Sequence, residues 1–120
     1  MKIAVTSRGQ DVASQVDPSF GRAAYFVLVD AETGEATAHD NSQNLNAVQG
    51  AGIQAGRNVV ELGAEAVLTG NVGPNAFRTL SAADVKIFVG AEGTVGEAIE
   101  DFKAGKLQAA DQATVEGHGF

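Results

Sequence analysis

Apolar positions along the chain alternate between short strand-like runs and longer helical periods. Residues 3–6 (Ile-Ala-Val-Thr) predict a short buried strand. Residues 7–19 are polar and turn-rich, which predicts a long loop, mobile until a ligand orders it. Residues 25–30 form a second strand. The Ala31-Glu32-Thr33-Gly34 turn, with Gly34 supplying a positive φ, returns the chain into a third strand over 35–40, antiparallel to the second. A polar loop with three Asn follows over 41–46. Over 47–62, Val48, Gly52, Ala55, Val59 and Leu62 recur at helical spacing, and Gly63 is the stop. Arg57 lies two residues from Ala55 and from Val59, hence on the opposite, solvated face. Residues 66–69 are a fourth strand that leaves through Gly70-Asn71-Val72-Gly73. Pro74 suits the first position of a second helix ending near residue 83, and 85–89 is a fifth strand. Thr94-Val95-Gly96-Glu97 has the form of a capping box for a third helix, with Val95, Ile99 and Phe102 facing the core and Gly105 ending it. From residue 108 the pattern fades. The reading is one domain over 1–107 and a flexible tail over 108–120.

One hairpin followed by strand–helix alternation, with right-handed crossovers, predicts an α/β fold with a five-stranded mixed sheet. The expected order is 3-2-1-4-5, with strand two antiparallel and helices on both faces. That is the ribonuclease-H-like three-layer arrangement. Ligands of open α/β sheets bind beyond the carboxyl ends of strands at the switch point. Here that point falls between strands one and four, beside Thr6-Ser7-Arg8 and Thr69-Gly70-Asn71.

Composition narrows the chemistry. A length of 120 residues supports a single real core. A formal net charge of −7 argues against nucleic acid and anionic membranes as partners, since both demand broad phosphate neutralisation. The sequence has no Cys, which removes disulfides, thiolate nucleophiles and thiolate metal ligands together. Met1-Lys2-Ile3 runs straight into a strand, and no apolar run is long enough to span a bilayer, so a signal peptide is not expected and the cytoplasm is the default compartment. The charge layout is uneven despite the acidic total. Arg8 follows the first strand, Arg22 precedes the second, and Arg78 lies one turn into the second helix. In the expected fold these three meet at one edge of the sheet. Lys2, Lys86, Lys103 and Lys106 fall toward the opposite edge. A local cationic edge on an anionic protein suits a small anion.

Three constellations follow. In Ser19-Phe20-Gly21-Arg22, Gly21 permits a sharp turn or a close ligand approach, Arg22 offers a planar five-donor fork, and Phe20 could wall the site. The plain alternative is a loop anchor with Phe20 in the core. In Gly70-Asn71-Val72-Gly73-Pro74-Asn75, no acid occupies the helix start, so the N–H groups of Asn75, Ala76 and Phe77 are open to an anion. The alternative is an ordinary capped turn. Gly50, Gly52 and Gly56 in one helix cost roughly 1 kcal/mol each against Ala. They imply either close packing of the helix on the sheet or, for Gly50 and Gly52, a backbone surface facing a bulky ligand. The string Gly50-Ala51-Gly52-Ile53-Gln54-Ala55 matches a dinucleotide fingerprint in letters only, because no strand runs into it. His39 and His118 are lone imidazoles, weak metal candidates at most. No carboxylates sit on strands one and four to hold Mg²⁺ for a nuclease, and there is no P-loop or Ser–His–Asp set, so an enzyme is not expected.

Taken together, Ser19-Phe20-Gly21-Arg22-Ala23, Gly50-Ala51-Gly52, Thr69 through Phe77, and the stretch from Gly93-Thr94-Val95 to Gly105-Lys106-Leu107 resemble the dinitrogenase iron–molybdenum cofactor biosynthesis family. That family includes NifX-like proteins and the C-terminal domain of NifB. The lack of Cys and the single small domain look most like its orange protein branch. The resemblance implies a ribonuclease-H-like fold without nuclease activity. It also implies non-covalent binding or carriage of an anionic Mo–Cu sulfide cluster, or alternatively an Fe–Mo–S or Fe–S precursor. The residues expected to serve are Arg8, Arg22 and Arg78 for charge, Phe20, Gly21, Gly50 and Gly52, and Gly70, Asn71, Gly73, Asn75 and Ala76 around the second helix. A different reading of the same edge is a protein-interaction or regulatory module, for which the family context offers a P-loop ATPase of the MinD/ParA kind as partner.

Overall fold

The computed structural model describes residues 1–41 and 51–114. Its strands are β1 (Lys2–Ser7), β2 (Tyr25–Asp30), β3 (Ala36–Asp40), β4 (Ala66–Leu68), β5 (Lys86–Val89) and β6 (Gln108–Ala109). Its helices are α1 (Ala51–Glu61), α2 (Pro74–Ala82) and α3 (Val95–Lys103). The expected start of α1 at residues 47–50, including Gly50, lies outside the described residues, as does His118.

The sheet order is β3-β2-β1-β4-β5-β6. β4 runs parallel to β1 and β5 parallel to β4, while β2 is antiparallel to both β1 and β3. The predicted order is therefore present, with one strand more than expected. β6 pairs antiparallel with β5 through Phe88–Ala109 and Val89–Gln108, in the stretch read as a tail. Its two residues are exposed and carry no apolar alternation, so periodicity could not find it; backbone pairing alone makes the strand.

Side chains on the central strands alternate between two cores, as the two-residue period requires. Ala4, Phe26, Val67 and Ile87 face α1 and α2 together with Ala55, Val59, Ala76 and Leu80. Ile3, Val5, Val27, Ala66 and Leu68 face α3 with Val95, Ala98 and Ile99. Burial on both faces explains why β1 and β4 read as continuous apolar runs rather than alternating ones. At the hairpin, Asp30 accepts the N–H groups of Glu32 and Thr33 at 2.8 and 3.3 Å, which holds its carboxyl below the usual range. Gly34 has φ of 79°.

The 7–19 loop is tied down rather than left loose. Arg8 N–H donates to Gln15 O at 2.9 Å and Asp17 N–H to Thr6 O at 3.0 Å, so residues 15–17 lie beside the end of β1. Val16 N–H reaches Gly93 O, while Ser14 O and Val12 O accept from Val95 and Gly96 at the start of α3. The loop thus supplies acceptors to helix N–H groups that have no partner within α3.

α3 carries both halves of its capping box. Glu97 N–H donates to Thr94 Oγ1 at 3.1 Å, and Thr94 N–H donates to Glu97 Oε1 at 2.9 Å. Replacing Thr94 with Ala is expected to lower the unfolding free energy by about 1 kcal/mol, read from urea denaturation. An unchanged midpoint at unchanged slope would show that the cap adds nothing.

Candidate functional site

Between Asp17 and Asp30, between Asp40 and Glu61, and between Glu65 and Asp84 the chain carries no Asp or Glu. The fold brings one point of each stretch into backbone contact. A Cβ on Gly21 would stand 3.2 Å from the Gly52 amide nitrogen, and a Cβ on Gly52 would stand 3.2 Å from the Ala76 amide nitrogen. The turn before β2, the start of α1 and the start of α2 therefore stack backbone on backbone. Beside them, a Cβ on Gly70 would meet Pro18 Cα at 2.8 Å, and Asn71 N–H donates to Pro18 O at 2.8 Å. Gly56 faces α2 as well, where a Cβ would meet Thr79 Cγ2 at 2.9 Å. The α1 glycines thus serve close packing, but of helix on helix, not of helix on sheet. Gly52 is half-buried, and the side on which a Cβ would stand is turned to α2.

The switch point itself is filled by the protein. Thr6, Ser7 and Thr69 are fully buried. The Thr6 and Thr69 hydroxyls meet at 3.0 Å, and Thr6 Oγ1 donates to Asp17 O at 2.6 Å. The crevice expected between β1 and β4 is occupied by residues 15–19. What stays accessible is the rim, formed by the Arg22 turn and the entrance to α2.

At that entrance Gly73 is the N-cap without a side-chain bond, and Pro74 has no N–H. Phe77 N–H closes the first turn on Gly73 O at 3.0 Å, so it is not the open donor expected. Ala76 is buried with Gly52 against its amide, which removes it too. The exposed Asn75 remains, with the positive end of the helix dipole behind it. Neither α1 nor α2 has an acid in its first turn, whereas α3 has Glu97.

The predicted side chains separate into those at the rim and those behind it. Arg22 is half-buried, and its N–H donates to Ser19 Oγ at 3.4 Å. Arg8 is exposed on the loop that docks on α3. Arg78 is exposed on the outer face of α2, two residues from buried Ala76 and Leu80. The three lie on three different segments, the loop after β1, the turn before β2 and α2. Phe20 is 1 % exposed and stacks on Phe26 with ring centroids 5.2 Å apart. It anchors the turn from inside the core and does not wall the rim. Asn71 is exposed and Gly73 half-buried in the β4–α2 loop. His39 lies on β3 across from Phe26, with its Nε2 3.0 Å from Thr37 Oγ1. Among the described residues no group of three His, Cys, Asp or Glu gathers that could hold a metal ion.

One residue that sequence reasoning missed is Asn41. It is fully buried, and its Nδ2 donates to Ala23 O at 2.8 Å and Gly21 O at 3.3 Å, the two carbonyls that flank Arg22. Its own N–H reaches Ala24 O. In the sequence it is one Asn among three in a polar loop, and nothing local distinguishes it. The sequence signal that could have found the converging segments is their lack of Asp and Glu.

The structure is an open α/β sheet with helices on both faces and an arginine-bearing rim at its switch point. The chain belongs to the dinitrogenase iron-molybdenum cofactor family, whose model matches residues 1–105. It is similar to the apo form of the orange protein from Desulfovibrio gigas, with 43% identity, 95% of this chain and 96% of that chain covered, and a TM-score of 0.92. A Thermotoga protein of the DUF35 family, proposed to be a NifB protein, shares 39% identity over 97% of this chain and 98% of its own, at a TM-score of 0.84. An uncharacterised Methanocaldococcus jannaschii protein is 26% identical over 97 residues, covering 79% of this chain and 82% of that protein.

Two substitutions test the rim. Asn41→Ala leaves two carbonyls short of a donor and is expected to cost roughly 1–3 kcal/mol in urea denaturation. Gly70→Ala drives a Cβ into the Pro18 backbone and is expected to cost about as much by overpacking. A Gly70→Ala protein as stable as the parent would mean that the Pro18 segment yields freely.

Proposed function

We propose that this protein binds and carries an anionic molybdenum-containing metal–sulfur cluster, without a covalent or thiolate bond and without catalysing a reaction on it. The observation that carries this reading is the convergence of three carboxylate-free stretches at the rim, within a family tied to the iron–molybdenum cofactor. A protein with net charge −7 repels anions in general, so segments poor in acids are what let one approach; Asp17, whose carboxylate accepts from Ser19 N–H at 3.1 Å, is the acid that borders them. Arg22, with Arg8 and Arg78 as outlying charges, is the cationic contribution. Asn71, Gly73 and Asn75 are the polar backbone and side-chain contribution. Guanidinium is weakly hydrated and suits the soft sulfur face of a sulfide cluster better than ammonium does.

Likeness to the orange protein favours a Mo–Cu sulfide cluster over an Fe–Mo–S or Fe–S precursor. The strand order supports a ribonuclease-H-like assignment, with the nuclease chemistry gone. β1 and β4 carry no carboxylate, and the Thr6 and Thr69 hydroxyls meet between them. Among the described residues no helix is long and apolar enough to cross a membrane.

The test is a visible-absorption titration of the protein with tetrathiomolybdate and a copper(I) source, followed by desalting and metal analysis. Co-elution of colour, molybdenum and copper with the protein is the expected result. The double variant Arg8→Ala, Arg22→Ala is expected to lose the colour while keeping its circular dichroism. Retention by the double variant would remove the arginines from the site. Failure of the parent with both this ligand and an iron–sulfur precursor would favour the interaction module.

A further inference from the structure

The described residues after β6 bond back to the sheet and to the β4–α2 loop. Ala110 N–H donates to Ile87 O at 2.8 Å, and Ala110 packs against the core beneath α2. Four residues later Thr114 meets Val72 in the β4–α2 loop. Thr114 N–H donates to Val72 O at 2.8 Å, Val72 N–H donates to Thr114 Oγ1 at 2.8 Å, and Thr114 Oγ1 lies 3.3 Å from Val72 O. One residue from the far end of the described chain thus satisfies both backbone groups of Val72.

That position matters because Val72 lies between Asn71 and Gly73, at the entrance to α2. Its side chain is fully buried, so its backbone groups lie against the core, where an unpaired N–H or C=O is costly. The residues before it are held from other directions: Gly70 O accepts from Gly90, and Asn71 N–H donates to Pro18 O. Val72 is the point where the loop turns into the helix, and there the C-terminal segment provides the hold. We propose that Thr114 is a positioning residue for the α2 entrance, a C-terminal clamp that fixes Asn71, Gly73 and Asn75 in the geometry the bound cluster needs. The inference rests on the cluster-binding reading for its ligand and on the hydrogen bonds alone for the clamp.

Thr114 is itself exposed, so changing it leaves the core untouched. Thr114→Val keeps the shape and the N–H but removes the acceptor for Val72; Thr114→Ser keeps the acceptor. Two readouts on the full chain separate the parts of the inference. Hydrogen exchange at the Val72 amide reads the clamp without any ligand. Loss of tetrathiomolybdate–copper colour during desalting reads retention.

In Thr114→Val, Val72 exchange should quicken and retention should weaken, each by about tenfold, the scale of one lost hydrogen bond. Thr114→Ser should restore both. Faster exchange with parental retention would overturn the positioning role. Equal Val72 exchange in parent and Thr114→Val would overturn the clamp. If the parent retains no colour, the cluster reading and the ligand half of this inference fall together, and the exchange data still decide the clamp.

Discussion

The rim depends on a steric constraint, the absence of a Cβ at Gly21 and Gly52. The turn before β2 lies against the start of α1, and the start of α1 lies against the start of α2, each so close that a Cβ fits only if its neighbour gives by a few tenths of an ångström. A methyl group at either position would push apart segments that are also held in the core by Phe20, Ala55 and Ala76. Two helix beginnings and one arginine-bearing turn are therefore assembled by packing, before any ligand arrives. Such preorganisation lowers the ordering cost of binding.

The core and the rim are coupled through polar groups as well as through glycines. Asn41, at the end of β3, holds the carbonyls on either side of Arg22. Thr6 and Thr69, at the ends of β1 and β4, join the two strands to Asp17. Each of these side chains is fully buried and fully partnered, so each has a single arrangement open to it. Buried polar groups of this kind specify geometry more than they add stability.

Local chemistry made most of the elements legible. The β2–β3 turn is marked by Gly34, the start of α2 by Pro74, and α3 by Thr94 and Gly105, and in each case a residue with a strong local preference marks the boundary. β6 was not legible, because its two exposed residues are a strand only by virtue of the edge of β5. The loop after β1 looked free because its composition is polar. Its order comes from pairing with the first turn of α3, some eighty residues on, and composition is silent about a partner that distant. The rim shows the same division. Glycines and arginines announced the segments, but which faces they turn to one another was set by packing. Gly52 looks toward α2, Phe20 looks inward, and Arg78 looks outward.

The same geometry bears on what kind of anion can bind. A phosphate is compact and strongly hydrated, and it is held where several backbone N–H groups converge on one point. At the α2 entrance that convergence is lacking: Pro74 has no N–H, the Ala76 amide is covered by Gly52, and the Phe77 amide is spent on Gly73. What the rim offers is spread out, with guanidinium groups on separate segments, the exposed Asn71 and Asn75, and three segments without carboxylates. Spread, weakly hydrated donors match a large anion of low charge density, whose desolvation is cheap and whose surface is broad. A metal–sulfide cluster has those properties and a free phosphate does not, so the features that weaken the rim as a phosphate site are the ones that favour it as a cluster site.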